Sequence, residues 1–152
     1  CVRIYPTLVL KGTYLAKLYE AGKYVPQSLE EAVVLCAGLK QMFDQNNIAV
    51  IRMGLMSSDN IRPENDVIAG PYHPAFGELV QSELNFCRLK EAVHQDCLIA
   101  VNPRSLSAFV GNNKANIKKM KQLGYTIKFV QDETVLPQEF KLVTGKAAEH
   151  AS

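Results

Sequence analysis

Few side chains in this sequence are placed to do chemistry, and His73 comes first among them. It lies between Pro71 and Pro74 in the run Gly70-Pro71-Tyr72-His73-Pro74-Ala75-Phe76-Gly77-Glu78, with Glu78 five residues on. Prolines fix the backbone at low entropic cost, so a histidine held this way is a candidate general base or interface anchor. The competing account is that the prolines only shape a turn between two parts of the chain. His94 stands at a predicted helix C-terminus, where an imidazolium suits the macrodipole, and His150 lies in a polar tail. Structural or solvated roles suit both.

Four cysteines (1, 36, 87 and 97) are too few and too scattered for a disulfide framework, so a reducing, cytoplasmic setting is expected. They form no C-x-x-C pair and no close group with histidine, so no metal site can be read from spacing. Cys36 and Cys87 fall on apolar helical stripes and read as core thiols. Cys1 and Cys97 have no assignment. The sequence contains no Gly-rich dinucleotide turn, P-loop, H-E-x-x-H or Gly-x-Ser-x-Gly.

The net charge is a weak +2, but its distribution is lopsided. From Cys97 to Gln131 there is no Asp or Glu, while Arg104, Lys114, Lys118, Lys119, Lys121 and Lys128 supply six positive charges; the remainder is net −4. That pattern points to an anionic partner for one part of the chain only, against the plainer account of a solvated basic face.

The elements that must position these groups follow from periodicity. Val2–Leu10 is a nearly continuous apolar run broken by Pro6, which cannot donate to a ladder and so marks a strand end or bulge. Thr13 caps a short helix 14–21 that Gly22 stops. Ser28-Leu29-Glu30-Glu31 is a capping box, opening a helix whose apolar residues (Leu29, Ala32, Val33, Cys36, Leu39, Met42, Phe43) recur at three- and four-residue steps. A second apolar strand follows at 48–55. Strand, two helices and strand form a right-handed parallel crossover, which cannot cover its own sheet and needs neighbouring strands.

Residues 57–74 form a polar, turn-rich connection and the expected boundary, giving domains 1–60 and 61–152. Beyond it the pattern predicts a helix 76–94, a strand 97–101, a short helix 105–110, an interruption at Gly111-Asn112-Asn113-Lys114 and a helix 115–123 stopped by Gly124. A strand 125–130 and one more at 140–143 follow, then a polar tail from Thr144 that frays. With 47% apolar and 21% charged residues, a folded α/β chain is expected rather than disorder. No apolar run reaches the roughly 18–20 residues of a membrane span. No signal peptide is visible and the chain opens on Cys1 without a Met, so a fragment or processed chain is expected.

The run Arg3-Ile4-Tyr5-Pro6-Thr7-Leu8-Val9-Leu10-Lys11-Gly12-Thr13, with Leu15, Leu18, Gly22 and Tyr24, resembles the end of the radical S-adenosylmethionine (SAM) core in the elongator catalytic subunit family. That wider group includes coproporphyrinogen oxidase-like iron–sulfur oxidoreductases. The resemblance implies that residues 1–60 are the terminal β-α-α-β piece of a partial (β/α) barrel. It also implies that Thr7 and Val9 flank the adenosine part of the cofactor, since cofactors sit at the loop ends of barrel strands. Members hold a [4Fe–4S] cluster on a C-x-x-x-C-x-x-C triplet. This sequence has no such triplet, and no acyl-CoA Gly-rich turn after residue 55. The cofactors [4Fe–4S] and SAM are therefore expected in a parent protein, with none bound by this chain and no metal ligands in it.

Val110-Gly111-Asn112-Asn113-Lys114, Ile117-Lys118-Lys119 and Gly124-x-x-Ile127-x-Phe129 are similar to the heart of a KH domain, where a G-x-x-G loop joins two helices. The resemblance implies phosphate contacts from Gly111, Asn112, Asn113, Lys114, Lys118 and Lys119. The second glycine is Lys114, whose Cβ hinders close backbone approach. The expected whole is a barrel-closing piece followed by a small KH-like α+β domain that presents RNA, transfer RNA by the elongator resemblance. Its expected partners are RNA, the upstream barrel half and a second copy through exposed strands, with no membrane. The alternatives are a radical enzyme acting on a small molecule such as a porphyrinogen, and a structural or dimerisation module without ligand.

Overall fold

Pro6 divides the first apolar run into two short strands with different partners. A computed structural model describes residues 1–56 and 61–143. The first four residues of the 57–74 connection and the tail from Thr144 lie outside the described residues. Strand β1 (Val2–Ile4) pairs in parallel with β3 (Val50–Met53), Val2 opposite Val50 and Ile4 opposite Met53. Strand β2 (Val9–Leu10) instead pairs antiparallel with β4 (Val67–Ala69), Val9 opposite Ala69. The expected crossover is therefore present between β1 and β3. The second half of the expected strand serves another small sheet, because a proline ends the ladder and lets the chain turn away.

Between these strands lie α1 (Tyr14–Glu20) and α2 (Leu29–Gln45). The Thr13 hydroxyl accepts the Ala16 N–H at 3.2 Å. At α2 the capping box closes both ways: Ser28 Oγ accepts from Glu31 N–H at 3.1 Å, and the Glu31 carboxylate accepts from Ser28 N–H at 2.9 Å. Ala32, Cys36 and Ala37 turn inward, while Val34, Leu35 and Met42 remain exposed.

The connection after β3 holds a short helix α3 (Pro63–Asp66) that hands the chain to β4. At Gly70, with φ +112°, an added Cβ would lie 3.1 Å from the Thr7 carbonyl, so the close approach of this segment to the start of β2 requires glycine. Two compact units result, Cys1–Val80 and Gln81–Ser152. Their division falls inside helix α4 (Phe76–Ala92), some way beyond the expected 60/61 boundary, because β4 returns to β2 and keeps this stretch in the first unit.

The second unit is a three-stranded sheet in the order β6-β5-β7, with β5 (Cys97–Val101) parallel to β6 (Ile127–Gln131) and antiparallel to β7 (Phe140–Val143). Asn102 opens a 3-10 turn at Pro103–Ser105, followed by α5 (Leu106–Val110) and α6 (Ala115–Gln122). Strand, helix, loop, helix and strand thus stand in the order the sequence predicts. Leu89, Val93, Ile99, Val101, Phe109, Met120 and Ile127 form the buried core, and Phe109 meets Phe140 edge-on at 5.7 Å between centroids. The chain is a mixed α/β protein.

Candidate nucleic-acid interface

The loop between α5 and α6 is held from beneath by one buried amide. Asn116, 1% exposed, donates from Nδ2 to the Phe109 carbonyl at 2.9 Å, the Ser82 carbonyl at 3.0 Å and Ser82 Oγ at 3.2 Å. It thereby ties the end of α5 and the flank of α4 to the first turn of α6. Gly111 packs directly against it: with φ +79°, an added Cβ would stand 3.1 Å from both the Asn116 nitrogen and Ser82 Oγ. A buried amide left unpaired costs about 1–3 kcal/mol, so these bonds fix the loop rather than decorate it.

On this base Asn112, Asn113 and Lys114 are all exposed. Asn113 (φ 52°) and Lys114 (φ 59°) adopt left-handed backbone, which asparagine tolerates and lysine resists. Lys114 therefore holds, at some strain, a conformation that a glycine would adopt freely. Lys118 and Lys121 are exposed on α6, and Lys128 on β6. Lys119 is engaged differently. Its ammonium lies 2.7 Å from Glu83, a carboxylate only 14% exposed, and 4.7 Å from the centroid of the Phe86 ring. The six residues read from the sequence as phosphate contacts are thus brought together on one loop and helix, but Lys119 already has an internal partner.

Three residues that matter here escaped sequence reasoning: Asn116, Ser82 and Glu83. Asn116 alone carried a signal, being a polar residue four positions before Met120 on the inward face of α6. The other two lie more than thirty positions away on α4.

Thr7 is exposed, but Val9 is fully buried, side chain and backbone alike, and so is not open to a ligand in this structure. His73 Nδ1 accepts the Ala75 N–H at 3.0 Å, and its carbonyl accepts the Phe76 N–H at 3.1 Å. The Nδ1 atom is thus engaged in forming the entry to α4. The prolines and the histidine together build a turn.

Among the described residues no group of three His, Cys, Asp or Glu side chains gathers as a metal would require. Cys36 is buried, Cys87 and Cys97 are partly so, and burial pushes all three thiols above their ordinary pKa, helped at Cys97 by Asp96. Thiolates are what an iron–sulfur cluster needs, and these positions disfavour them. The described residues do not fit a cluster.

No helix among the described residues is long and apolar enough to cross a membrane. No curated protein and no solved structure matches the chain. A family model described as the radical SAM C-terminal domain does match, over residues 1–85. Those residues take in the Tyr5-Pro6-Thr7-Leu8-Val9 run, the parallel β1–β3 crossover and the β2–β4 pair that the geometry joins into one unit. Such a protein works with a [4Fe–4S] cluster and SAM, which residues outside those described here would have to hold. By this match the chain belongs to the radical SAM C-terminal domain family.

Proposed function

We propose that the first unit completes a radical SAM barrel whose other strands and cluster-binding cysteines belong to a preceding core, and that the second unit binds RNA weakly through phosphates. The barrel half of this reading is supported by the β1–β3 pair. Parallel strands are normally covered on both faces and by further strands, whereas here a two-stranded pair leaves Ile51 54% exposed. Within that barrel Thr7 is the side chain open toward the adenosine of SAM, and the buried Val9 supports it from beneath. The reading places the protein in the cytoplasm, with an iron–sulfur oxidoreductase as the parent and transfer RNA as the RNA the elongator resemblance favours.

The observation that carries the RNA half is the acid-free stretch from Cys97 to Gln131, whose Lys114, Lys118 and Lys121 are exposed beside the Gly111–Lys114 loop. Phosphate contacts release counterions, so such binding weakens steeply with salt. Fluorescence anisotropy of a labelled single-stranded RNA decamer tests this. Three phosphate contacts give a log–log slope of about −2, which is about a fifteen-fold loss of affinity between 50 and 200 mM salt. Unchanged anisotropy at 50 mM salt would mean that the basic face is a solvated surface and no RNA site.

A further inference from the structure

Resting on the RNA reading above, we infer that the phosphate-binding surface is a single stripe, Lys114–Lys118–Lys121, and that Lys119 is a structural residue outside it. Helical geometry separates the two sets. At about 100° per residue Lys118 and Lys121, three apart on α6, lie about 60° from one another, and Lys114, in left-handed backbone at the N-cap, stands exposed at the head of the same helix. Lys119 points about 100° or more away from both helical lysines, Lys118 and Lys121. That other direction is where Glu83 and Phe86 of α4 lie, and the Lys119 ammonium is held there by the carboxylate at 2.7 Å and the ring at 4.7 Å. Its charge is already balanced by a mostly buried partner, and withdrawing it to meet a phosphate would leave Glu83 unpaired.

The chemistry of the stripe selects an extended polyanion. Lys114 stands at the N-cap of α6, and Lys118 and Lys121 follow about 4.5 Å apart along the helix axis, a row of charges that suits successive phosphates on a strand. The large exposed hydrophobic side chains among the described residues of this unit are Leu123, Leu136 and Leu142, none of which lies on the stripe. A protein partner would be expected to need such apolar anchors. Asn112 and Asn113 at the head of the stripe offer amide groups to sugar or phosphate without selecting a base. The ligand is therefore a single strand, bound with little regard to sequence.

The salt slope reads out contacts one at a time, and removing a repelling or attracting charge nearby shifts affinity without adding a contact. With the full chain and the single-stranded decamer, Lys114→Gln, Lys118→Gln and Lys121→Gln are each expected to lower the slope magnitude by about 0.7. The double variant Glu83→Gln/Lys119→Gln, which removes both members of the ion pair so that neither charge is left unpartnered, is expected to keep the wild-type slope. Amide spectra of each variant establish that it is folded. If the double variant loses the same step, or the stripe variants keep the full slope while the wild type binds, the stripe is wrong and RNA binding stands. If the wild-type chain does not bind at low salt, both fall together.

Discussion

Asn116 illustrates how much a single amide can hold. Its Nδ2 reaches three oxygen acceptors on two other segments, and Gly111 must be glycine for the loop to close over it. Asn116→Ala removes the donor, leaves the Phe109 carbonyl without this buried bond and cuts the tie to Ser82 on α4. The expected cost is about 2 kcal/mol of unfolding free energy, measured by urea denaturation. The RNA affinity should fall as well, since Lys114 and the loop asparagines lose their support. A variant as stable as the wild type would show that the loop is held by something else. Lys119 carries a related lesson. Reversing Lys114, Lys118 and Lys119 to Glu together, which sequence alone would treat as a change on an exposed face, would set a new carboxylate against Glu83 and test the fold as much as the binding.

At the scale of elements, local signals with a mechanism were legible and those with a distant partner were not. The capping box at Ser28 fixes the start of α2 with its two reciprocal bonds, and Ser28→Ala is expected to lower stability by about 1 kcal/mol in thermal unfolding. No change in the transition would mean the cap is replaced by solvent. Strands 97–101 and 140–143 fall where their apolar runs place them: the first is buried on both faces at the centre of the sheet, and the second pairs along it and sets Phe140 against the core. The strand β4 was not legible. Three residues, Val67–Ala69, inside a polar segment carry too little periodicity, and what makes them a strand is β2, nearly sixty positions earlier. The unit boundary moved for the same reason. In the candidate site the lysines and the loop were visible in sequence, but the pairing that removes Lys119 was not, since Glu83 sits thirty-six positions away.

At the scale of the whole molecule, the account assigns the two units different surfaces. The first exposes apolar side chains, Val34, Leu35 and Met42 on α2 and Ile51 on β3. The second carries the acid-free, lysine-rich stretch on a sheet and helices with their own core. The central claim is that RNA engages the second unit at the α5–α6 loop and α6, and leaves the first unit to the barrel. Amide chemical shifts of the full isotope-labelled chain, followed while a single-stranded RNA decamer is added at low salt, test this most directly. The account predicts shift changes concentrated at residues 111–121, with the amides of Cys1–Val80 unmoved. Silence at residues 111–121, or changes centred on the first unit, would contradict it.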